Sequence, residues 1–279
     1  MVTITLNVGL GLAALLLAAC GPSTDGAANA SLFAAEPSLT RFLPDRLHEV
    51  SGLAVAPDGR LFAHDDEIGV IYEINATDGT IVKWFAVGEP IVTGDFEGLT
   101  ITPAGDFWLT TSTGRLYRFR EGEDRANVRY ERANTGLEED CEIEGVAYQA
   151  ANESLILACK RTYGRRMEDR AALRIWPIGG GPAEPWGASA GDYAGAARAP
   201  SFTPSGVTID AASGRVLVLS SRSAALVELS PDGELLGARR LGGSHRQAEG
   251  VAVMADGSLV VADEGGNDQA QLTHYARVS

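Results

Sequence analysis

Apolar residues along positions 39–278 come in short runs, and no stretch carries a long helical period. Five runs open in the same way, with a glycine leading into an apolar strand. They are Val50-Ser51-Gly52-Leu53, Phe96-Glu97-Gly98-Leu99, Ile143-Glu144-Gly145-Val146, Pro204-Ser205-Gly206-Val207 and Ala248-Glu249-Gly250-Val251. The glycines are spaced 46, 47, 61 and 44 residues apart. A period in the forties is the length of one four-stranded propeller blade.

Each unit continues alike. Turn pairs such as Asp58-Gly59, Ala104-Gly105, Asn152-Glu153, Ser213-Gly214 and Asp256-Gly257 supply the positive φ or the local hydrogen bonds of a tight hairpin. A second apolar run follows, as in Phe107-Trp108-Leu109, and then an alternating third, as in Leu116-Tyr117-Arg118-Phe119, which fits a half-buried strand. The pattern predicts an all-β fold, a five-bladed β-propeller of four-stranded blades. The last unit is one strand short. Ser38 to Leu43 is expected to supply it, closing the ring by joining the chain's two ends and leaving no open sheet edge. Trp176 to Pro200, rich in Gly, Ala and Pro, lacks the opening signature and reads as an inserted loop of blade three.

Upstream of the repeats the pattern changes. Val8 to Ala19 is an apolar run too short for an ordinary membrane-spanning helix. It ends in Leu17-Ala18-Ala19-Cys20-Gly21, which resembles the bacterial lipobox, although no Lys or Arg precedes the run. Residues 1–20 are therefore expected to be a lipoprotein signal peptide, with Cys20 lipidated; an ordinary secretory signal is the alternative. Residues 21–31 read as a flexible tether and 32–279 as the propeller. Gly21 after the cysteine favours the outer membrane by resemblance to Gram-negative lipoproteins. The expected location is the bacterial cell envelope, lipid-anchored and facing the periplasm. With 37 acidic against 23 basic side chains, the net charge of −14 speaks against nucleic acid as a partner and for cation attraction. In an oxidising compartment Cys141 and Cys159, which flank a predicted hairpin, form either a disulfide or two buried thiols.

The residue before the repeat glycine is Ser51, Glu97, Glu144, Ser205 and Glu249 in turn. First strands lie nearest the propeller axis, so three glutamates are expected to converge at one mouth of the channel. Carboxylates sharing a small site must protonate, find cationic partners or bind a metal. Oxygen-only donors point to a hard cation, calcium before magnesium; Ser51, Ser205, backbone carbonyls and water could complete its shell. The alternative is that each glutamate bonds the backbone amides beside it. Second strands end on the same face and bring Asp66, Arg161, Arg222 and Glu264 to it as candidate ligand-face residues. His48 and His245 lie four or five residues before a repeat glycine, within reach of the mouth as a general base or simply as loop residues. No Gly-x-Ser-x-Gly elbow is present, and no catalytic residue is identified.

Gln247 to Ala252, Asp140-Cys141 before Ile143 to Tyr148, and Val218-Leu219-Ser220 with Ala224 and Glu228 resemble the SdiA-regulated, YjiK-like periplasmic propellers. The similarity runs over most of Leu39 to Tyr275, loosely in blades one and two and closely in blades four and five. It implies a five-bladed propeller with a bound calcium ion, distantly similar to NHL-repeat propellers, and no established reaction. The lipobox departs from the pattern, because some relatives look held by a membrane helix. Two functions follow as expectations. One is a monomeric, lipid-anchored binding module for a small ligand or an envelope protein. The other is a calcium-dependent hydrolase of phosphoesters or lactones on the same funnel face.

Overall fold

The computed structural model describes residues 1, 31–163 and 170–278. Residues 2–30, which hold the signal segment, Cys20 and most of the tether, lie outside the described residues. Strand β1 (Leu39–Phe42) precedes blade one, made of β2 (Val50–Val55), β3 (Leu61–Asp65), β4 (Val70–Ile74) and β5 (Ile81–Val87). Blade two holds β6 (Phe96–Ile101), β7 (Asp106–Thr111) and β8 (Arg115–Arg120). A two-residue strand, β9 (Asn127–Val128), then pairs in parallel with β5, before β10 (Tyr130–Asn134) completes blade two. Blade three is β11 (Cys141–Gln149), β12 (Ser154–Thr162), β13 (Ala171–Pro177) and β14 (Glu184–Ser189). Blade four is β15 (Gly206–Ile209), β16 (Val216–Ser220), β17 (Ala225–Leu229) and β18 (Leu235–Arg240). Blade five is β19 (Ala248–Val253), β20 (Leu259–Asp263) and β21 (Gln271–Tyr275), closed on its outer side by β1. There Leu39 lies opposite His274 and Phe42 opposite Gln271.

The five first strands β2, β6, β11, β15 and β19 contact one another in that cyclic order, so the ring is closed. Its hydrophobic core is divided into five wedges, one between each pair of neighbouring blades. Phe62, Phe85, Phe107 and Phe119 fill the wedge between blades one and two, with Phe62 and Phe107 edge to face at 5.2 Å. Trp108 and Trp176 meet between blades two and three. The wedge between blades four and five takes Phe33 from the N-terminal segment, fully buried against Leu219, Leu226 and Val261. Beside it, the carboxylate of Glu228 accepts hydrogen bonds from the Leu32 amide and the Ser31 hydroxyl, and is paired with Arg215. The N-terminal segment is thus bound both to the edge of blade five and to the side of blade four.

The repeat glycines stand where the first strands crowd the axis. A Cβ on Gly98 would lie 2.7 Å from Val146 N of the next blade, and one on Gly145 would lie 3.0 Å from Val207 N. Only the residue without a side chain permits this approach.

Trp176 to Pro200 is more than the inserted loop expected from sequence. It contains the end of β13, the outer strand β14, and an eight-residue helix, α1 (Ala190–Ala197). Ser189 caps the helix by accepting from the Asp192 amide, while Asp192 accepts from the Ser189 amide, forming a capping box. Tyr193 on this helix is fully buried against Phe202 in the wedge between blades three and four. The helix has only two turns, too few for a helical period to stand out in an alanine- and glycine-rich stretch.

Candidate functional site

The side chains before the repeat glycines reach the axis because the first strands are bulged there. The pairing register shifts between Val50 and Gly52, between Phe96 and Gly98, and between Ala248 and Gly250, leaving Ser51, Glu97 and Glu249 opposite no partner residue. In blade three the register shifts between Ile143 and Val146, around Glu144. A β-bulge re-aims the extra side chain and tightens the local twist. Blade four has no such shift, and its strand begins only at Gly206. The Ser205 hydroxyl there is held by backbone, donating to Ala248 O at 2.6 Å and accepting from Ser221 N at 2.8 Å.

Glu97, Glu144 and Glu249 each place one carboxylate oxygen within 4.8 Å of those of the other two. Ser51, 2 % exposed, donates to Glu97 Oε2 at 2.9 Å and lies 3.5 Å from Glu249 Oε2. Ser51, Glu97 and Glu249 line a narrow axial cavity together with the five repeat glycines' neighbours Leu53, Leu99, Val146, Val207 and Val251. Lys160, from the end of β12, donates from Nζ to Glu144 Oε1 at 2.7 Å. Two ionised carboxylates no more than 4.8 Å apart repel by at least about 3.5 kcal/mol at an effective dielectric constant of 20. One lysine and one serine hydroxyl do not offset three such pairs, so the ring as it stands holds protons. Burial is the first cause that raises the pKa of all three glutamates. The charge of Glu144 adds to it at Glu97, and a carboxyl–carboxyl hydrogen bond with Glu264 adds to it at Glu249. At Glu144 the hydrogen bond from Lys160 works the other way and is outweighed.

The donor set fits a hard cation. Three oxygens no more than 4.8 Å apart leave an ion between them at most about 2.8 Å from each, a span that takes in the 2.3–2.6 Å of calcium.

Around this centre the mouth carries the remaining candidates. Glu264 accepts from Gln247 Nε2 at 2.7 Å, beside Glu249. Asp66 groups with Glu49 and Asp65 in a second carboxylate cluster. Its pKa is pushed up to about 7 by burial and by the charges of Asp65, Glu49 and Glu264. Arg161 is exposed and pairs with Glu142 Oε2 at 3.1 Å, and Arg222 is exposed on the turn after β16. Cys141 and Cys159 form a disulfide across β11 and β12, one residue from Lys160.

The histidines within sequence reach of the mouth are otherwise engaged. His245 is buried with Nδ1 2.7 Å from Asp263 Oδ2 and Nε2 on the Tyr275 hydroxyl, so neither nitrogen is free. His48 Nε2 lies 3.2 Å from the Asp268 carbonyl. A different histidine stands beside the channel. His64 is fully buried, donates from Nδ1 to Asp65 O at 3.0 Å, and leaves Nε2 against Gly52 without a partner among the described residues. Position in the repeat could have flagged it, since His64 pairs with the repeat glycine of blade one. Lys160 was legible only as one of several charges at strand ends.

The SdiA-regulated family matches residues 192–275, from helix α1 through blades four and five. Comparison with curated proteins finds no match. Among solved structures, the glutaminyl cyclase of Myxococcus xanthus is similar with a TM-score of 0.57 and 12% identity, covering 89% of this chain and 100% of its own. Virginiamycin B lyase of Staphylococcus aureus aligns with a TM-score of 0.45 and 16% identity, covering 84% of this chain and 71% of its own. At 12% identity the likeness to the cyclase is one of fold. Over residues 192–275 the chain is similar to the SdiA-regulated family, and this match and the propeller fold fit a binding or interaction module. Among the described residues no helix is long and apolar enough to cross a membrane.

Proposed function

We propose that this protein is a calcium-holding binding module of the bacterial cell envelope, exported by residues 1–20, anchored through lipid on Cys20 and working in the periplasm. The observation that carries the reading is the convergence of Glu97, Glu144 and Glu249 from equivalent bulged positions of three blades, with Ser51 between two of them. These residues would hold the ion, and the ion would neutralise the ring and offer Lewis-acid attraction to an oxygen-bearing ligand. Asp66, Arg161, Arg222 and Glu264 frame the face on which a small ligand or an envelope protein would sit. The test is calorimetric titration of calcium into the protein lacking residues 1–20. Saturable binding that Glu144→Gln weakens at least about tenfold supports the site, and its absence refutes it.

The second reading, a calcium-dependent hydrolase, rests on Asp66. Its pKa near 7 suits a general base at the mouth. Because both nitrogens of His245 are engaged and His48 is bonded to a carbonyl, binding is the preferred reading. Turnover of phosphodiester or lactone substrates that needs calcium, Glu144 and Asp66 would reverse that order.

A further inference from the structure

Lys160 occupies the position of a counter-ion in the carboxylate ring. Its ammonium is 2.7 Å from Glu144 Oε1 and 3.9 Å from Glu142 Oε1. The choice of side chain is unusual for this chain, since only two of its 23 basic residues are lysines, Lys83 and Lys160. An arginine would lock a carboxylate in a planar, two-pronged pair, whereas an ammonium is a compact charge on a flexible stem. It bonds an oxygen at a separation close to that of a calcium ion. The Lys160 side chain is 37 % exposed, so it has solvent to move into, while Glu144 at 2 % has none.

Resting on the calcium reading above, the geometry points to Lys160 as a tethered cation that a divalent ion must displace. The metal-free ring is partly neutralised by the ammonium on Glu144. With the ion bound, Glu144 Oε1 would be one of its ligands, and the Lys160 ammonium would swing out to the mouth beside Arg161. Binding is then an exchange of one cation for another, and the lysine sets the calcium concentration at which the site fills. The exchange also changes the charge of the mouth face, releasing a lysine there only when the ion is bound.

Lys83 serves as an internal reference, since it is held on β5 by Glu121 and by the Gly122 carbonyl at 3.1 Å, in a separate ion-pair network. The experiment is amine acylation of the protein lacking residues 1–20, read by mass spectrometry with chelator and with saturating calcium. Calcium is expected to speed acylation of Lys160 several-fold and to leave Lys83 unchanged. Calorimetry of Lys160→Met should show calcium binding at least about tenfold tighter than wild type, with Lys160→Arg no tighter than wild type. Calcium binding to the wild type with unaltered Lys160 acylation, or with unaltered or weaker affinity in K160M, overturns this inference alone. If neither wild type nor K160M binds calcium, the calcium reading fails and the inference falls with it.

Discussion

Ser51 Oγ on blade one donates to Glu97 Oε2 on blade two at 2.9 Å, so the ring of carboxylates is tied across a blade junction by a buried hydroxyl. Ser51→Ala leaves Glu97 with one donor fewer in a site that water scarcely reaches. Hydrogen bonds to charged groups contribute about 1.5–3 kcal/mol. With the ring partly protonated, the expected loss of unfolding free energy in chelator is about 1–2 kcal/mol. Urea unfolding in chelator and in calcium checks this. The loss should be smaller in calcium, where the ion neutralises Glu97, and an equal loss in both would separate Ser51 from the ion site.

The carboxylate ring also sets a pH dependence. Glu97, Glu144 and Glu249 have folded pKa values raised above the ordinary 4.5. Their contribution to stability is fully present below about 4.5 and is lost as pH rises through the raised values. Asp66, pushed up to about 7, acts in the same direction from 3.8. His64, pushed down to about 4 by burial, acts oppositely: its contribution is present above 6.5 and lost as pH falls through about 4. Melting temperature in chelator should therefore fall from pH 5 to pH 9, with the slope reduced by Glu249→Gln and flattened by saturating calcium. A flat profile in chelator would contradict the crowding of charge described here.

Glycine at the axis and glycine on the helix should respond in opposite ways to a methyl group. A Cβ on Gly98 would sit 2.7 Å from Val146 N and 2.8 Å from Gly145 Cα, backbone that cannot yield without moving blade three. Gly98→Ala is expected to cost about 2–4 kcal/mol or to prevent folding. Beyond its own helix, Gly195 on α1 has nothing within 4 Å of its would-be Cβ among the described residues. Gly195→Ala should stabilise by about 0.5–1 kcal/mol. Denaturant midpoints of the two variants are the check.

The Cys141–Cys159 disulfide closes a loop of 18 residues beside Lys160 and Glu144. Chain-entropy bookkeeping for such a loop gives about 3 kcal/mol. The double substitution Cys141→Ser, Cys159→Ser should lower stability by roughly that amount under oxidising conditions. Calcium affinity should fall as well, because Glu144 and Lys160 lie on the strands that the bond joins. Unchanged affinity would mean that the hydrogen-bonded register of β11 and β12 holds the site without it.

The sequence by itself determined the ring of blades. Gly98, Gly145 and Gly206 mark places where backbone meets backbone, while Gly52 and Gly250 leave room for the side chains of His64 and of Leu53 and Ala262. The hairpin turns and apolar runs fall at a spacing that only stacked four-stranded units use. It also determined the closure of blade five by residues 39–42, since an unpaired edge had to be covered. The three glutamates were legible as a set because they hold one repeat position.

Tertiary structure alone decided how those positions are used. Ser51 and Ser205 are equivalent in sequence, yet the bulge in blade one turns Ser51 to Glu97, while the unbulged start of blade four leaves Ser205 on backbone. The pairing of Lys160 with Glu144, and of His245 with Asp263 and Tyr275, also depends on which face of a strand each side chain leaves and on what lies across the gap. Repetition writes strand and turn into local spacing. Register shifts and side-chain partners arise between strands, where a single residue of slippage redirects a charge.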